Sequence, residues 1–124
     1  SRPTGFVHPR SLALLAREGI ATAGLHSKSW EDLPVTPDIV ISVCGNAAGE
    51  TCPAYLGPVL RSHWGVEDPA APAESPEAQR HAFSQAFMVL NRRIAIFQNL
   101  PVEKLDRLSL LSELQRIGRV READ

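Results

Sequence analysis

Asp38-Ile39-Val40-Ile41-Ser42-Val43 decides the fold of this sequence, because its side chains are almost continuously apolar and β-branched. Such a run is typical of a strand buried on both faces, as in a parallel sheet covered by helices. Cys44 follows the strand, and residues 45–53 are mostly small and end in Cys52-Pro53. This pattern predicts a loop at the carboxyl end of the strand, the edge where open α/β sheets usually bind ligands.

The segments on either side of this strand predict helices and one more strand. Residues 10–18 have helical spacing (Leu12, Leu15, Ala16) and end at Gly19, where a C-terminal cap belongs, and residues 29–32 predict a brief helical turn. Residues 60–64 predict a second strand, and Ser75-Pro76 is a strong helix start. That helix is predicted to present one apolar face, made of Phe83, Phe87, Leu90, Ile94 and Phe97. After the break at Leu100-Pro101, a final helix that ends at Gly118 is predicted to face inward with Leu105, Leu108, Leu110, Leu111, Leu114 and Ile117.

Two strands are few for this many helices, because a parallel sheet needs cover on both faces and usually contains more than a pair of strands. The chain also begins Ser-Arg-Pro-Thr rather than with Met, and no strand precedes its first helix. We therefore expect that part of the sheet is missing and that the N-terminus has been trimmed.

The composition is that of one ordinary globular domain. Of the 124 residues, 44% are apolar and 22% are charged, and the net charge is −1. This balance provides no field for nucleic acid or an anionic membrane, so neither is predicted as a partner. No apolar run approaches the length of a membrane span, and the lack of a visible signal peptide favours the cytoplasm.

Cys44 and Cys52 are the only cysteines, and they stand eight positions apart. One interpretation is a buried thiol at the strand end with an incidental thiol in the loop. A structural disulfide does not suit a reducing compartment, and neither residue belongs to a close Cys or His pair that binds zinc, so no metal or other cofactor is predicted. The other interpretation is a redox relay, in which the small-residue loop folds back to bring the two thiols together.

Asp68, which precedes Pro69, also has two interpretations. The pair is common in turns, and a turn is the simpler prediction. Alternatively, the stiffened loop presents the Asp68 carboxyl as a general acid. Surface or capping roles are favoured for the histidines, which are scattered over different elements: His8, His26, His63 and His81.

An anion-binding loop is missing from the sequence. A phosphate loop of the form Cys-x-x-x-x-x-Arg is absent, because the sixth residue after Cys44 is Glu50 and the sixth after Cys52 is Pro58. The glycine-rich nucleotide motifs and the His-Glu-x-x-His zinc motif are absent as well.

Five motifs nevertheless follow one another in a familiar order: Val7-His8-Pro9, Gly19-Ile20, residues 26–29 (His-Ser-Lys-Ser), residues 43–53 (Val-Cys-Gly-Asn-Ala-Ala-Gly-Glu-Thr-Cys-Pro) and residues 63–70 (His-Trp-Gly-Val-Glu-Asp-Pro-Ala). In this order the sequence closely resembles arsenate reductases related to the low-molecular-weight protein tyrosine phosphatases. The resemblance implies an α/β, flavodoxin-like, three-layer fold with a four-stranded parallel sheet. Its first strand, Cys-x-x-x-x-x-Arg loop and following helix, together with most of the next strand, are expected before Ser1, which makes the fold incomplete here. Residues 1–100 are then the phosphatase-like domain, and residues 101–124 are a C-terminal helical extension.

The resemblance implies a relay of three thiols that confers arsenic resistance. The loop cysteine, which this sequence lacks, attacks arsenate, and Cys44 then attacks that cysteine and releases arsenite. Cys52 attacks Cys44 and leaves a disulfide for thioredoxin, glutaredoxin or another low-molecular-weight thiol to reduce. Asp68 matches the general acid of the phosphatases, and arsenate or a phosphate-like oxyanion is the implied substrate.

Two other functions stay open from the sequence. The first is a protein tyrosine phosphatase-like hydrolase, which would need Asp68 but not the cysteine pair. The second is a truncated, non-catalytic fragment held by a partner or a dimer. The leucine rows of the last helix either cover the domain or form a homodimer contact.

Overall fold

The computed structural model describes residues 3–44 and 59–121. In chain order its elements are helix α1 (Pro9–Arg17), a short 3-10 helix (Trp30–Asp32), strand β1 (Ile39–Ser42), strand β2 (Leu60–His63), helix α2 (Pro76–Gln98), a second 3-10 helix (Val102–Lys104) and helix α3 (Arg107–Ile117). The chain divides into two compact units, Ser1–Val35 with Asp68–Ala86 and Thr36–Glu67 with Phe87–Asp124. The predicted loop that carries Cys52 lies outside the described residues.

Local capping explains where helix α1 begins and ends. The Nδ1 atom of His8 accepts a hydrogen bond from the backbone N–H of Arg10 at 3.1 Å, and Pro9 occupies the first helical position. Proline suits this position, since its missing N–H would have no partner inside the helix. Gly19 has a φ of +76°, the left-handed conformation that stops a helix at low cost. The predicted C-terminal cap is confirmed.

Helix α2 begins at its predicted cap, whereas α3 begins after a cap that the sequence analysis did not name and excludes Leu105, which was predicted to belong to it. The hydroxyl of Ser75 accepts a hydrogen bond from the N–H of Ala78 at 3.0 Å, directly before α2. At the start of α3, the Asp106 carboxylate accepts from the N–H of Ser109 at 2.7 Å. Each cap satisfies one of the backbone donors that a helix leaves unpaired in its first turn.

The first unit is organised around a small contact between α1 and the first part of α2. Leu14 and Phe83 are its buried apolar side chains, and the ring of His8 stands 4.8 Å from that of Phe83. The Nε atom of Arg10 donates to the side-chain oxygen of Gln79 at 2.7 Å. The helical spacing was predicted from Leu12, Leu15 and Ala16. The structure instead buries Leu14 as the core residue of α1.

The second unit contains a parallel pair of strands and the main apolar core. β1 and β2 pair in register from Ile39 opposite Leu60 to Ser42 opposite His63. The core beside them consists of Leu60 from β2, Trp64 directly after the end of β2, and three residues of α3: Leu110, Leu114 and Ile117. The α/β class with a parallel sheet is confirmed, and within the described residues the sheet has two strands.

β1 is less buried than its sequence predicts. Ile39 and Ile41 pack against the core, whereas the alternation of side chains along a strand turns Val40 to the other face. All three are only half-buried. Ser42, on the same face as Val40, is buried, so within the described residues both faces of the strand are partly covered and the predicted full burial is not reached.

Two of the predicted apolar helix faces also need correction. Ile94 in α2 is 48% exposed, while its neighbour Arg93 is fully buried. In α3, Leu110, Leu114 and Ile117 are buried as predicted, but Leu108 is 79% exposed. Leu105, which precedes α3, and Leu111 are partly buried against the same core, so of the leucines predicted to face inward only Leu108 lies in solvent.

Candidate functional site

The carboxyl ends of β1 and β2 lie side by side because the strands are parallel. Beyond the last register pair, the N–H of Trp64 donates to the carbonyl of Ser42 at 2.7 Å. The N–H of Val66 then donates to the carbonyl of Val43 at 3.0 Å. The backbone of β1 is therefore held by its neighbour up to the residue directly before Cys44.

Cys44 follows this paired stretch and is exposed. Its place after the strand agrees with the sequence prediction, and its exposure argues against the interpretation as a buried thiol. An accessible sulfur at the carboxyl edge of a parallel sheet is positioned for exchange with another thiol. Its partner in the predicted relay, Cys52, lies outside the described residues, so the pairing stays a prediction.

A serine and a histidine are joined across the two strand ends. The buried hydroxyl of Ser42 and the Nδ1 atom of His63 are 2.7 Å apart in a hydrogen bond. The Nε2 side of the same ring lies against Gly65, where an added Cβ would stand only 2.8 Å from Nε2. The imidazole thus has a neighbour on each side, Ser42 and Gly65. His63 is the last residue of β2, and its partner Ser42 stands two residues before Cys44.

Arg93 fixes the backbone that follows β2. Its Nη1 atom donates to the carbonyl of Trp64 at 2.9 Å and to that of Gly65 at 3.3 Å, and its Nε atom donates to the carbonyl of Val120 at 2.9 Å. Arg121 also donates to the carbonyl of Gly65, at 3.2 Å. Burial, followed by the nearby charge of Arg121, lowers the pKa of Arg93.

Sequence reasoning missed both features. The signal for the Ser42–His63 pair was the parallel register, which sets the last residues of two adjacent strands opposite each other. The sequence carries no comparable signal for Arg93, because an arginine in such a helix usually lies on the solvated face and its acceptors here are backbone carbonyls.

Asp68 lies in a turn, as the simpler interpretation predicts. Its carboxylate accepts from the N–H of Ala70 at 2.9 Å, and its carbonyl accepts from the N–H of Ala71 at 3.2 Å. The side chain is exposed. A role as general acid stays a prediction, because a hydrogen bond to its own turn is compatible with either interpretation.

Metal and membrane binding leave no sign in the part of the chain that is described. Across residues 3–44 and 59–121, no three His, Cys, Asp or Glu side chains are grouped as metal ligands. None of the described helices has the length and apolar character needed to span a bilayer.

Comparison with known proteins identifies the class to which this fold and this strand-end thiol belong. The family model described as low molecular weight phosphotyrosine protein phosphatase matches residues 1–107. The chain belongs to that family, and the predicted low-molecular-weight phosphatase-like fold is confirmed. No solved structure matches the chain.

The curated relatives are narrower in function than the family. An arsenate reductase of Bacillus subtilis (strain 168) is 41% identical over 80 residues, which cover 64% of this chain and 56% of the relative. Another, from Halalkalibacterium halodurans, is 29% identical over 92 residues, covering 73% of this chain and 66% of the relative. A third, from Bacillus licheniformis, is 44% identical over 54 residues, covering 44% of this chain and 37% of the relative. The chain thus spans about half the length of the curated relatives it matches. The resemblance to arsenate reductases of the phosphatase family is confirmed.

Proposed function

We propose that the polypeptide containing this chain is an arsenate reductase, an oxidoreductase that converts arsenate to arsenite with electrons from thiols. The observation that carries the proposal is the exposed Cys44 at the carboxyl end of the parallel sheet. Membership of the phosphatase family and similarity to proteins named arsenate reductase support it. Arsenate, a tetrahedral oxyanion like phosphate, is the proposed substrate.

The proposed relay begins at a cysteine of the family's Cys-x-x-x-x-x-Arg loop, which is not among these 124 residues. Its thiolate attacks arsenic(V), an oxygen leaves as water after protonation, and an S–As bond forms. The Cys44 thiolate then attacks the loop sulfur. The S–As bond breaks, its electron pair stays on arsenic, and arsenite leaves as arsenic(III), while a disulfide forms between the loop cysteine and Cys44.

Cys52 completes the proposed cycle. Its thiolate attacks the Cys44 sulfur, which releases the loop cysteine as a thiolate and moves the disulfide to the Cys44–Cys52 pair. An external dithiol, such as thioredoxin or glutaredoxin, or two molecules of another small thiol, then reduces this pair with two electrons and two protons. The balance is arsenate plus two thiols giving arsenite, one disulfide and water. Such a cycle suits the reducing cytoplasm, which we propose as the location.

Arsenate turnover by the complete polypeptide, with each cysteine replaced in turn, tests the relay. Cys44→Ser should release no arsenite, because nothing can attack the loop sulfur. Cys52→Ser should release one equivalent of arsenite and stop with the loop cysteine bound to Cys44, a disulfide that mass spectrometry of unreduced peptides detects. In the wild type the trapped disulfide should join Cys44 and Cys52. Undiminished turnover by Cys44→Ser rules the relay out.

A phosphatase activity is the second candidate, favoured by the family to which the chain belongs. It would use Asp68 as the general acid for the leaving group, whereas the two cysteines would be dispensable. Asp68→Asn is a suitable variant because an amide oxygen can still accept the N–H of Ala70 and preserve the turn. If hydrolysis of p-nitrophenyl phosphate is lost in Asp68→Asn but retained in both cysteine variants, and arsenate is not reduced, the phosphatase is the correct function.

A further inference from the structure

The end of the described chain packs directly against the end of β2. The family model matches the chain as far as residue 107, and α3 begins at that residue. Helix α3 and the residues that follow it therefore lie beyond the part of the chain that the family model covers. This C-terminal segment (residues 107–121) helps to fill the main core with three apolar side chains: Leu110, Leu114 and Ile117.

The C-terminal segment also makes close contacts with the backbone and the indole at the end of β2. The carbonyl of Leu114 accepts a hydrogen bond from the indole N–H of Trp64 at 2.9 Å. Gly118 lies so near that an added Cβ would stand 2.9 Å from the Trp64 indole and 3.0 Å from the carbonyl oxygen of His63. A segment that only covered the core would not need contacts of this kind.

Two arginines tie the C-terminal segment to the backbone after β2. The fully buried Arg93 donates to the carbonyl of Val120 and to the carbonyls of Trp64 and Gly65. Arg121, from the segment itself, donates to the carbonyl of Gly65 at 3.2 Å. Because a guanidinium is planar and its donors point in fixed directions, Arg93 holds its three acceptors in one arrangement. The Gly65 carbonyl is held by both arginines.

The backbone held in this way is also the one that pairs with the end of β1. The N–H of Trp64 donates to the carbonyl of Ser42 at 2.7 Å, and the N–H of Val66 donates to the carbonyl of Val43 at 3.0 Å. Cys44 is the residue after Val43, and it is exposed. The C-terminal segment is therefore connected to the residue before the thiol through one intervening stretch of backbone.

We propose that the C-terminal segment is a positioning element for the exposed thiol and that Arg121 is one of its positioning residues. By holding the carbonyl of Gly65, Arg121 keeps the N–H groups of Trp64 and Val66 in place for the end of β1, and so fixes the point from which Cys44 extends. The effect on the backbone stands by itself. The effect on arsenate turnover rests on the proposed function.

Amide hydrogen exchange in the 124-residue chain tests the effect on the backbone. Arg121→Met keeps a long side chain and removes its donors. Protection of the Trp64 and Val66 amides should then fall about threefold, near the lower end of what one hydrogen bond contributes. Arg121→Lys, which keeps a charged donor, should recover part of it. Arg119→Met is the matched control, because Arg119 is also exposed and its side chain makes no hydrogen bond or ion pair with any described residue.

Two results of this experiment overturn the proposal. One is unchanged protection of the Trp64 and Val66 amides in Arg121→Met. The other is a loss of protection that the amides of residues 87–98, in the same unit, show to the same extent, because Arg121 would then contribute only to the stability of the whole unit. An equal loss in Arg119→Met has the same meaning, since it would trace the effect to charge rather than to the contact with Gly65.

The complete polypeptide tests the consequence for the thiol. In a Cys52→Ser background the proposed relay stops after one equivalent of arsenite, so the rate of arsenite release at saturating arsenate reports the attack by Cys44. Arg121→Met should lower this rate about threefold, because the attacking sulfur is less well placed. Arg119→Met should leave it unchanged, and inhibition by inorganic phosphate should be the same in both variants.

The two experiments separate this proposal from the proposed function. An unchanged rate of arsenite release, together with a loss of amide protection in Arg121→Met, would refute the positioning of Cys44 while the relay stays intact. Absence of arsenate reduction in the unsubstituted polypeptide would refute the proposed function, and amide exchange would still decide whether Arg121 holds the backbone beside Cys44.

Discussion

The clearest energetic consequence of the structure concerns two leucines on one helix. Leu114 and Leu108 both belong to α3, but Leu114 is fully buried in the core and Leu108 is 79% exposed. Truncating a buried leucine to alanine costs about 3–5 kcal/mol, because transfer energy is lost and a cavity remains. About a fifth of Leu108 is buried, so its truncation should cost only about 0.5 kcal/mol, less the small gain from the better helix propensity of alanine. The two identical substitutions should therefore differ by roughly 3 kcal/mol.

Urea unfolding of Leu114→Ala and Leu108→Ala, followed by far-ultraviolet circular dichroism and tryptophan fluorescence, measures this difference. Trp64 reports on the same core, since its indole N–H donates to the carbonyl of Leu114 at 2.9 Å. The slope of the unfolding free energy against urea should stay constant, so that midpoints can be compared directly. If Leu114→Ala is too unstable to show a folded baseline, Leu114→Met gives a measurable loss below about 1.5 kcal/mol.

Equal losses for the two alanine variants would refute the placement of α3, because they would mean that Leu108 is as buried as Leu114. A loss for Leu108→Ala that grows with protein concentration would instead show that Leu108 is covered by a second chain. That outcome would decide the question left open by the sequence, in favour of a homodimer contact at the exposed Leu108. A small, concentration-independent loss assigns α3 to covering its own unit.

Three other predictions follow from single contacts. Asp106 caps α3, and the hydrogen bond that its carboxylate accepts from the N–H of Ser109 lowers the pKa of Asp106. The stability that this cap contributes is fully present above the unfolded carboxyl pKa of about 3.9. It is lost as the pH falls through the lower pKa of the folded state. Asp106→Asn should therefore flatten the acid limb of the urea midpoint plotted against pH, and an unchanged limb contradicts this assignment. Gly118→Ala should cost about 1–3 kcal/mol in urea unfolding, since its Cβ would stand 2.9 Å from the indole of Trp64. Arg93→Met should cost about 1–3 kcal/mol and increase hydrogen exchange in residues 118–121, because three carbonyls lose a donor; a stability gain would mean that the cost of burying the cation dominates.

The sequence predicted the helices and strands well because their boundaries depend on local chemistry. Ser75 and Gly19 act through hydrogen bonds or backbone angles within a few residues, so their effect can be read without knowing the tertiary structure. Asp106 acts equally locally, although the sequence analysis did not name it. Which side of a helix is buried depends on what packs against it. The periodic pattern of α3 offered two leucine rows of similar apolarity, and contact with the strand pair selected the row that includes Leu114.

Of the candidate site, the sequence could predict only the part that depends on where strand β1 ends. The largely β-branched run at residues 39–43 and the cysteine that follows it place a thiol at the carboxyl edge without any tertiary information. The Ser42–His63 hydrogen bond could not be predicted in this way, because it depends on the register between strands eighteen residues apart along the chain. The role of Arg93 could not be predicted for a similar reason. Its acceptors are backbone carbonyls from distant parts of the chain, and every residue has such a carbonyl.

The strand-end contacts bear on how the proposed relay would work. Disulfide exchange requires one sulfur to approach another closely and in line, so at least one of the two backbones has to be able to move. On one side, the backbone before Cys44 is held by hydrogen bonds to Trp64 and Val66 and by the serine–histidine pair across the strand ends. Arg93 holds the neighbouring segment in turn, through the carbonyl of Trp64. Because the backbone is held up to Val43, the proposed exchange at the exposed Cys44 would need its movement from Cys44 itself or from the sulfur that approaches it, rather than from β1.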